Sequence, residues 1–331
     1  MVAIYTLHQN DESNQSQHIA YSLDEGVTWT NYSNNPVLDL GMKDFRDPKV
    51  SWDAASNSWL MAVAKPHEFK ISFFRSPDLK TWNHLSDFGP LGATGGCWEC
   101  PDLFSLPTPS GENVWVLIIS LNPGGIAGGS GTQYFIGDWD GTTFTTKQET
   151  TKWIDYGSDN YAGVTFSNTP DKRRIFIGWM SNWEYAVACP SPIWRGQMTS
   201  PRELAIVEVD GEKLLSSNPI SELKTEHDYS FEINANEDSI FTITADGQEL
   251  LISYNTRDRR ISIDRSHAWF LEFKNAPQIS PEITLEKFTI RILLDHGSAE
   301  IFIPEAGLSM TTLHTLPASS VVLQKTAKRL Q

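Results

Sequence analysis

The sequence predicts an all-β protein, a series of β-propeller blades followed by a separate antiparallel β-sandwich. Three observations predict it. Helical periodicity is almost absent, and short strands broken by turn residues run along the whole chain. Two series of turn and strand recur, interleaved, roughly every 50–60 residues, which is a blade-like spacing. The composition then changes after Leu204, where the Trp-rich motifs stop.

The first series is a turn. Ser22-Leu23-Asp24-Glu25-Gly26-Val27-Thr28-Trp29 returns as Ser76-Pro77-Asp78-Leu79-Lys80-Thr81-Trp82, and again as Asp138-Trp139-Asp140-Gly141-Thr142-Thr143-Phe144. Asp and Gly supply the turn, then Thr and an aromatic start the next strand. The second series is a strand. Asn57-Ser58-Trp59 opens WLMAVAK, Asn113-Val114-Trp115 opens VWVLIIS, and Arg173-Arg174 opens IFIGWMS. Apolar runs bounded by polar turns fit strands buried between neighbouring sheets. Residues 1–207 are therefore assigned to the propeller. Residues 208–228 are charged and read as a connector. From Tyr229 the segments SIFTITA, QELLISYN, RRISIDR, KFTIRILLD and SAEIFIP follow, which assigns 229–331 to the sandwich.

Composition narrows the function. A formal net charge of −15 repels a phosphate backbone, so no nucleic-acid partner is expected, whereas a neutral sugar remains open. No apolar run approaches the about 20 residues of a membrane span, so no membrane partner is expected. The 12 Trp suit either sugar stacking or β-rich packing. Cys97, Cys100 and Cys189 are odd in number and sparse, which excludes a disulfide framework. The Cys97-x-x-Cys100 pair lacks the second half of a zinc site and reads as structural. The opening MVAIYTLHQN has no signal-peptide pattern. Compartment and oligomeric state stay unassigned.

A neutral sugar directs attention to carboxylates, because glycosidic bonds are cleaved by a pair of them flanking the bond. Asp47 stands in Lys43-Asp44-Phe45-Arg46-Asp47-Pro48-Lys49-Val50. Pro48 is expected to push Asp47 into an extended conformation, with Arg46 and Asp47 on opposite sides of a strand. Taken alone, Asp47 reads better as an Asp starting a strand. Glu99 lies between Cys97-Trp98 and Cys100-Pro101. Apolar company there is expected to raise its pKa, as a general acid needs near neutral pH; binding to backbone or to an Arg is the alternative. Trp179, Asn182 and Trp183 in Gly178-Trp179-Met180-Ser181-Asn182-Trp183 suit ring stacking and hydroxyl recognition, or packing. Asp159, in Asp155-Tyr156-Gly157-Ser158-Asp159-Asn160-Tyr161-Ala162, and Trp194-Arg195 are further candidates.

In this order the motifs resemble glycoside hydrolase family 32, the fructan-hydrolysing family of invertases, levanases and exo-inulinases. Its matching segments are Phe45-Arg46-Asp47-Pro48-Lys49-Val50, Trp98-Glu99-Cys100-Pro101-Asp102-Leu103-Phe104 and Gly178–Trp183. Ala127–Gly131 followed by Gln133-Tyr134-Phe135, and Ser200-Pro201-Arg202-Glu203-Leu204, support them. The resemblance implies a five-bladed propeller with a funnel-shaped site, then a β-sandwich. It implies hydrolysis of terminal fructofuranosyl bonds in sucrose or fructans with retention, through a fructosyl-enzyme intermediate, with no metal or other cofactor. Carried over by motif, Glu99 is the acid/base and Asp47 the transition-state stabiliser. Arg46 and either Trp179 or Trp183 are the sugar-binding residues, and Asp159 stands beside them as a substrate-binding candidate from its own segment.

The sequence departs from the family at its start. The family opens on Trp-Met-Asn-Asp-Pro-Asn-Gly, whose Asp is the nucleophile, and Asn-Asp-Pro-Asn occurs nowhere in this sequence. The chain is thus expected to begin about one and a half blades in, with the first blade incomplete. It is expected to lack the nucleophile and to be inactive by itself. A non-catalytic, fructan-binding remnant is the alternative.

Overall fold

The computed structural model describes residues 1–189, 196–269, 278–316 and 322–327. Among these, helix is limited to single 3-10 turns, and no helix is long and apolar enough to cross a membrane. By its internal packing the chain divides into two compact units. Unit 1 is Met1–Ser105, Val114–Asn122 and Gln133–Lys152; unit 2 is Leu106–Asn113, Pro123–Thr132 and Trp153–Gln331.

Unit 1 is built on three sheets. The first contains β1 (Val2–His8), β2 (Gln15–Tyr21), β3 (Thr30–Asn31) and β4 (Leu38–Met42), with β3 and β4 pairing to opposite ends of β2. The second is an antiparallel meander of β5 (Arg46–Asp53), β6 (Ser58–Lys65), β7 (Lys70–Ser76) and β8 (Asn83–Phe88). The third contains β9 (Cys97–Pro107), β10 (Asn113–Asn122), β11 (Gly131–Trp139), β12 (Phe144–Thr145) and β13 (Lys152–Trp153) in the order β12-β11-β10-β9, with β13 on β11. The apolar runs of the sequence are the middle strands β6 and β10, buried along nearly their whole length. Burial on both faces is why they read as continuous rather than alternating.

The repeated turn is a local structure held by its own Asp. Asp24 Oδ1 accepts from Thr28 N at 2.9 Å, Oδ2 accepts from the Thr28 hydroxyl at 2.6 Å, and Trp29 Nε1 donates to Gly26 O at 3.0 Å. Asp78 repeats the pattern with Thr81 N at 2.9 Å and the Trp82 indole on Leu79 O at 3.1 Å. Asp140 accepts from Thr142 N and Thr143 N at 2.8 and 2.7 Å. The hydroxyl and amide of Thr28 hold the Asp24 carboxyl down at about 2, although it is fully solvated.

Unit 2 holds a fourth sheet of the same kind. β14 (Tyr161–Phe166), β15 (Ile175–Met180), β17 (Arg202–Val209) and β18 (Glu212–Pro219) run in that order, and β16 (Gln197–Met198) also pairs with β15. This corrects the connector expected at 208–228. Residues 202–219 are a hairpin that turns at Asp210 and Gly211, with φ 51° and 81°, as a tight two-residue hairpin turn requires. Its charge gathers at the turn end, where Glu208, Asp210 and Glu212 are exposed; Leu204, Ile206 and Leu215 are buried further from the turn. The link to the next strand is only residues 220–227.

The remaining strands make two sheets. One contains β19 (Asp228–Asn234), β24 (Lys287–Asp295), β25 (Ser298–Ile303) and β26 (Leu308–Leu313). The other contains β20 (Ser239–Ala245), β21 (Gln248–Asn255), β22 (Arg260–His267), β23 (Gln278–Ile279) and β27 (Val322–Ala327). Ile233, Ile290 and Ile301 of the first share one core with Phe241, Ile252 and Ile263 of the second. In β20 every second side chain is buried, the period of a strand with one face to the core.

His314 follows β26 and carries a pH dependence. Leu316 N donates to its Nδ1 at 3.2 Å, and burial lowers its pKa from 6.5 to about 4. The unfolded chain takes up a proton below pH 6.5 that the folded state refuses until about pH 4. Stability is therefore full above pH 6.5 and falls as the pH drops toward 4, by about 3 kcal/mol from this one group. Urea unfolding of the wild type and His314→Gln between pH 7 and 4.5 should show a shallower fall in the variant; equal slopes would remove His314 from the account.

Candidate active site

Three of the expected site residues meet in unit 1. Phe45 anchors the segment: its ring packs with Leu38, Met61, Val63 and Phe74. Gln15 and Gln17 bond its backbone N–H and C=O at 2.9 and 2.7 Å. Arg46 follows, and the β5–β6 register shifts between Arg46 and Lys49. At that irregularity Asp47 has φ 64°, so the extended conformation expected from Pro48 is corrected. A left-handed, non-glycine residue costs backbone energy, and Asp tolerates it better than most. The Asp47 N–H donates to Thr6 Oγ1 at 3.1 Å.

Arg46 and Asp47 both face β9. Arg46 Nε and Nη2 donate to one oxygen of Glu99, Oε1, at 3.0 and 2.8 Å. Its Nη1 donates to Asp44 Oδ1 at 2.8 Å and to Gln15 Oε1 at 3.3 Å. Asp47 Oδ2 accepts from Cys100 N at 3.0 Å, and Cys100 too has a positive φ, of 49°. Two strained residues, on strands of different sheets, thus meet through this bond, the kind of outlier that clusters at functional sites.

The surroundings of Glu99 differ from those expected. Trp98 is fully buried, with its indole on Ala93 O at 2.8 Å and its ring against Phe69 and Phe88. Glu99, on the next position, meets the Arg46 guanidinium instead of apolar company. Successive side chains of a strand point to opposite faces, and that alternation separates Trp98 from the carboxylate. Burial raises the pKa of Asp47, as does the charge of Glu99; the Cys100 amide and Arg46 oppose the shift. Burial and then the Asp47 charge push the Cys100 thiol well up, which keeps it protonated and inert. The cluster offers one carboxyl oriented by a guanidinium and a second of raised proton affinity beside it. Asp44 and Gln15 complete the grip on Arg46. Asp44 belongs to the Lys43–Val50 segment, whereas no local motif marks Gln15.

The aromatic pair lies in unit 2. The rings of Trp179 and Trp183 are 5.1 Å apart, and Tyr161 meets Trp179 edge-on at 6.3 Å. Trp183 is about half exposed, so both indoles belong to one aromatic wall and Trp183 presents the open face. Gly196, at φ 73°, lies against Trp179: a Cβ there would come 2.0 Å from Nε1. Asn182 is corrected as a hydroxyl reader. Its Nδ2 donates to Gly128 O and Ser158 O, both at 2.9 Å, and its Oδ1 accepts from Ser130 N at 3.2 Å. It staples the glycine loop of residues 127–131 in place. Trp194 and Arg195 lie outside the described residues.

Asp159 is likewise corrected as a sugar contact. It is fully buried. Its Oδ2 accepts from Arg265 Nη1 at 2.9 Å, from the Ser158 hydroxyl at 2.6 Å and from Leu313 N at 2.9 Å. Its Oδ1 accepts from the Tyr185 hydroxyl at 2.6 Å. Arg265 is stacked over Trp269 at 4.1 Å. A parallel cluster joins buried Arg202 to Asp155 at 2.9 Å and to Glu300 at 2.5 Å. These buried pairs tie the loop before β14, and β17, to the sandwich.

The chain matches the glycosyl hydrolases family 32 N-terminal domain over residues 1–219 and the family's C-terminal region over residues 197–315. The levanase of Bacillus subtilis (strain 168) is 37% identical over 347 aligned positions, covering 91% of this chain and 51% of the levanase. The extracellular exo-inulinase of Aspergillus ficuum is 42% identical over 226 positions, covering 63% of this chain and 42% of that protein. The chain thus spans about half the length of the curated relatives it matches. Among solved structures, exo-inulinase from Aspergillus awamori superimposes with a TM-score of 0.84 at 29% identity, covering 98% of this chain and 76% of its own. A fructofuranosidase from Schwanniomyces occidentalis, complexed with fructose, gives 0.84 at 27%, covering 98% and 75%. The fold is accordingly all-β, a β-propeller followed by a β-sandwich.

Proposed function

Because this chain belongs to glycosyl hydrolases family 32, we propose that the whole protein hydrolyses terminal β-D-fructofuranosyl bonds in sucrose or a fructan, with retention. Glu99 is the acid/base: it protonates the leaving glycosidic oxygen and later takes a proton from the attacking water. Asp47 holds fructose hydroxyls and stabilises the oxocarbenium-like transition state. Arg46 orients Glu99, and Trp179 with Trp183 supplies stacking surface. Formation of the fructosyl-enzyme bond calls for a further carboxylate as nucleophile, a role given to none of these residues. The observation that carries the reading is the double N–H grip of Arg46 on Glu99 Oε1 with Asp47 held beside it through Cys100 N. Levanase, exo-inulinase and invertase among the relatives point to levan, inulin and sucrose as the substrates to try.

In the whole protein, Asp47→Asn should lower kcat far more than it raises KM, because hydroxyl contacts tighten in the transition state. Steady-state kinetics on sucrose and inulin check this. A pure KM effect would take the role from Asp47. Binding of these sugars by the wild type without turnover would replace the hydrolase reading with a fructan-binding one.

A further inference from the structure

We propose that Thr6 and Gln17 are positioning residues for Asp47, closing a ring of hydrogen bonds across Arg46 that holds Asp47 in its left-handed backbone. The Asp47 N–H donates to Thr6 Oγ1 at 3.1 Å, and the Thr6 hydroxyl donates to Gln17 Oε1 at 2.8 Å. Gln17 Nε2 then donates to Phe45 O at 2.7 Å. The ring therefore grips the peptide groups on both sides of Arg46. All of these residues lie in unit 1. Thr6 on β1 and Gln17 on β2 are direct partners in the antiparallel register, which sets their side chains side by side on one face. Gln15 lies two residues before Gln17, on the same face of β2. Its Oε1 accepts from Phe45 N at 2.9 Å and from Arg46 Nη1 at 3.3 Å, which holds the Arg46 end of the segment.

The ring has a single polarity. A threonine hydroxyl accepts and donates at once, and the Gln17 amide turns its oxygen to Thr6 and its nitrogen to Phe45 O. Gln17 is fully buried, so no water replaces either bond, and losing one leaves a buried polar group unsatisfied. Asp47 is the residue that needs such support. A φ of 64° is unfavourable for a residue with a side chain and persists only where the surroundings over-determine it. Without the Thr6 hydroxyl the Asp47 N–H loses its acceptor, and the backbone is released toward the extended conformation that a following proline favours. The carboxyl, whose Oδ2 accepts from Cys100 N at 3.0 Å, then leaves its place beside Glu99. The ring stands on its own bonds; its effect on turnover rests on the role proposed above for Asp47.

Thr6→Val keeps the shape of the side chain and removes the hydroxyl. In the whole protein it should lower kcat on sucrose or inulin about tenfold, the worth of one well-placed hydrogen bond, and leave KM nearly unchanged. Thr6→Ser restores the hydroxyl and should recover most of the loss. Gln17→Met breaks the ring at its amide and should act in the same direction; Thr6→Ala serves in its place if that variant does not fold. Added to Asp47→Asn, Thr6→Val should cost little more, because its effect passes through Asp47. A merely structural loss would add in full. Amide hydrogen exchange over residues 45–47 reads the ring without turnover, and should quicken in Thr6→Val but not in Thr6→Ser. Unchanged exchange in a folded Thr6→Val overturns the ring, and full additivity with Asp47→Asn overturns its action through Asp47. Quickened exchange in a protein without fructoside turnover keeps the ring and removes the hydrolase reading.

Discussion

Glu99→Gln in the whole protein should lower kcat on sucrose by about 10²- to 10⁴-fold, the usual worth of a positioned proton donor. Gln is nearly isosteric, and its Oε1 still accepts the two N–H bonds of Arg46, so binding should change little. What disappears is the proton for the leaving oxygen. A fructoside whose leaving group needs no protonation should therefore lose much less rate than sucrose. Comparing the two substrates separates lost proton donation from a displaced site. Near-wild-type turnover of sucrose by the variant would end the assignment of Glu99.

Asp159→Ala should destabilise the protein by about 3–5 kcal/mol, because it leaves a buried guanidinium without its counter-ion. Both side chains are essentially out of water, so Arg265 has no solvent to turn to. The same argument predicts a rescue. Asp159→Leu combined with Arg265→Met removes both charges, and most of the lost stability should return. Urea unfolding, read as the shift in midpoint, measures both. A single variant within about 1 kcal/mol of wild type would be the range of a surface pair and would contradict this account. The exposed Asp24, which accepts three hydrogen bonds to the four of Asp159, should matter far less, since water replaces them at once.

The contrast between Asp24 and Asp159 shows which features were legible in the sequence. The turn at Asp24 recurs at Asp78 and Asp140, and its bonds reach only two to four residues along the chain. Nothing beyond the local residue order is needed to read it. Asp159 looked like a candidate for a sugar because its segment is polar and rich in Gly, Ser and Asn. Its partner is 106 residues away on a strand of the sandwich. The charged stretch after Val207 misled in the same way: Asp210-Gly211 was a hairpin signal, and the charge alongside it drew the reading toward a connector. Arg46, Asp47 and Glu99 stood out through short motifs. Gln15 and Thr6, which contact the same cluster, carried no local mark.

The sequence by itself determined the strand-and-turn architecture, the sandwich that follows it and the family. Strand period, turn chemistry and motif order are all local, and a residue's neighbours in the chain decide them. Tertiary structure alone decided the company of Glu99. The sequence placed it beside Trp98 and two cysteines; the fold placed its carboxyl on Arg46, 53 residues earlier. It also decided that Arg46 and Asp47 both turn to β9, because a register shift and one left-handed residue break the alternation a regular strand would impose. An ion pair between distant residues depends on the path of the chain in space, which residue order leaves open until the strands pair.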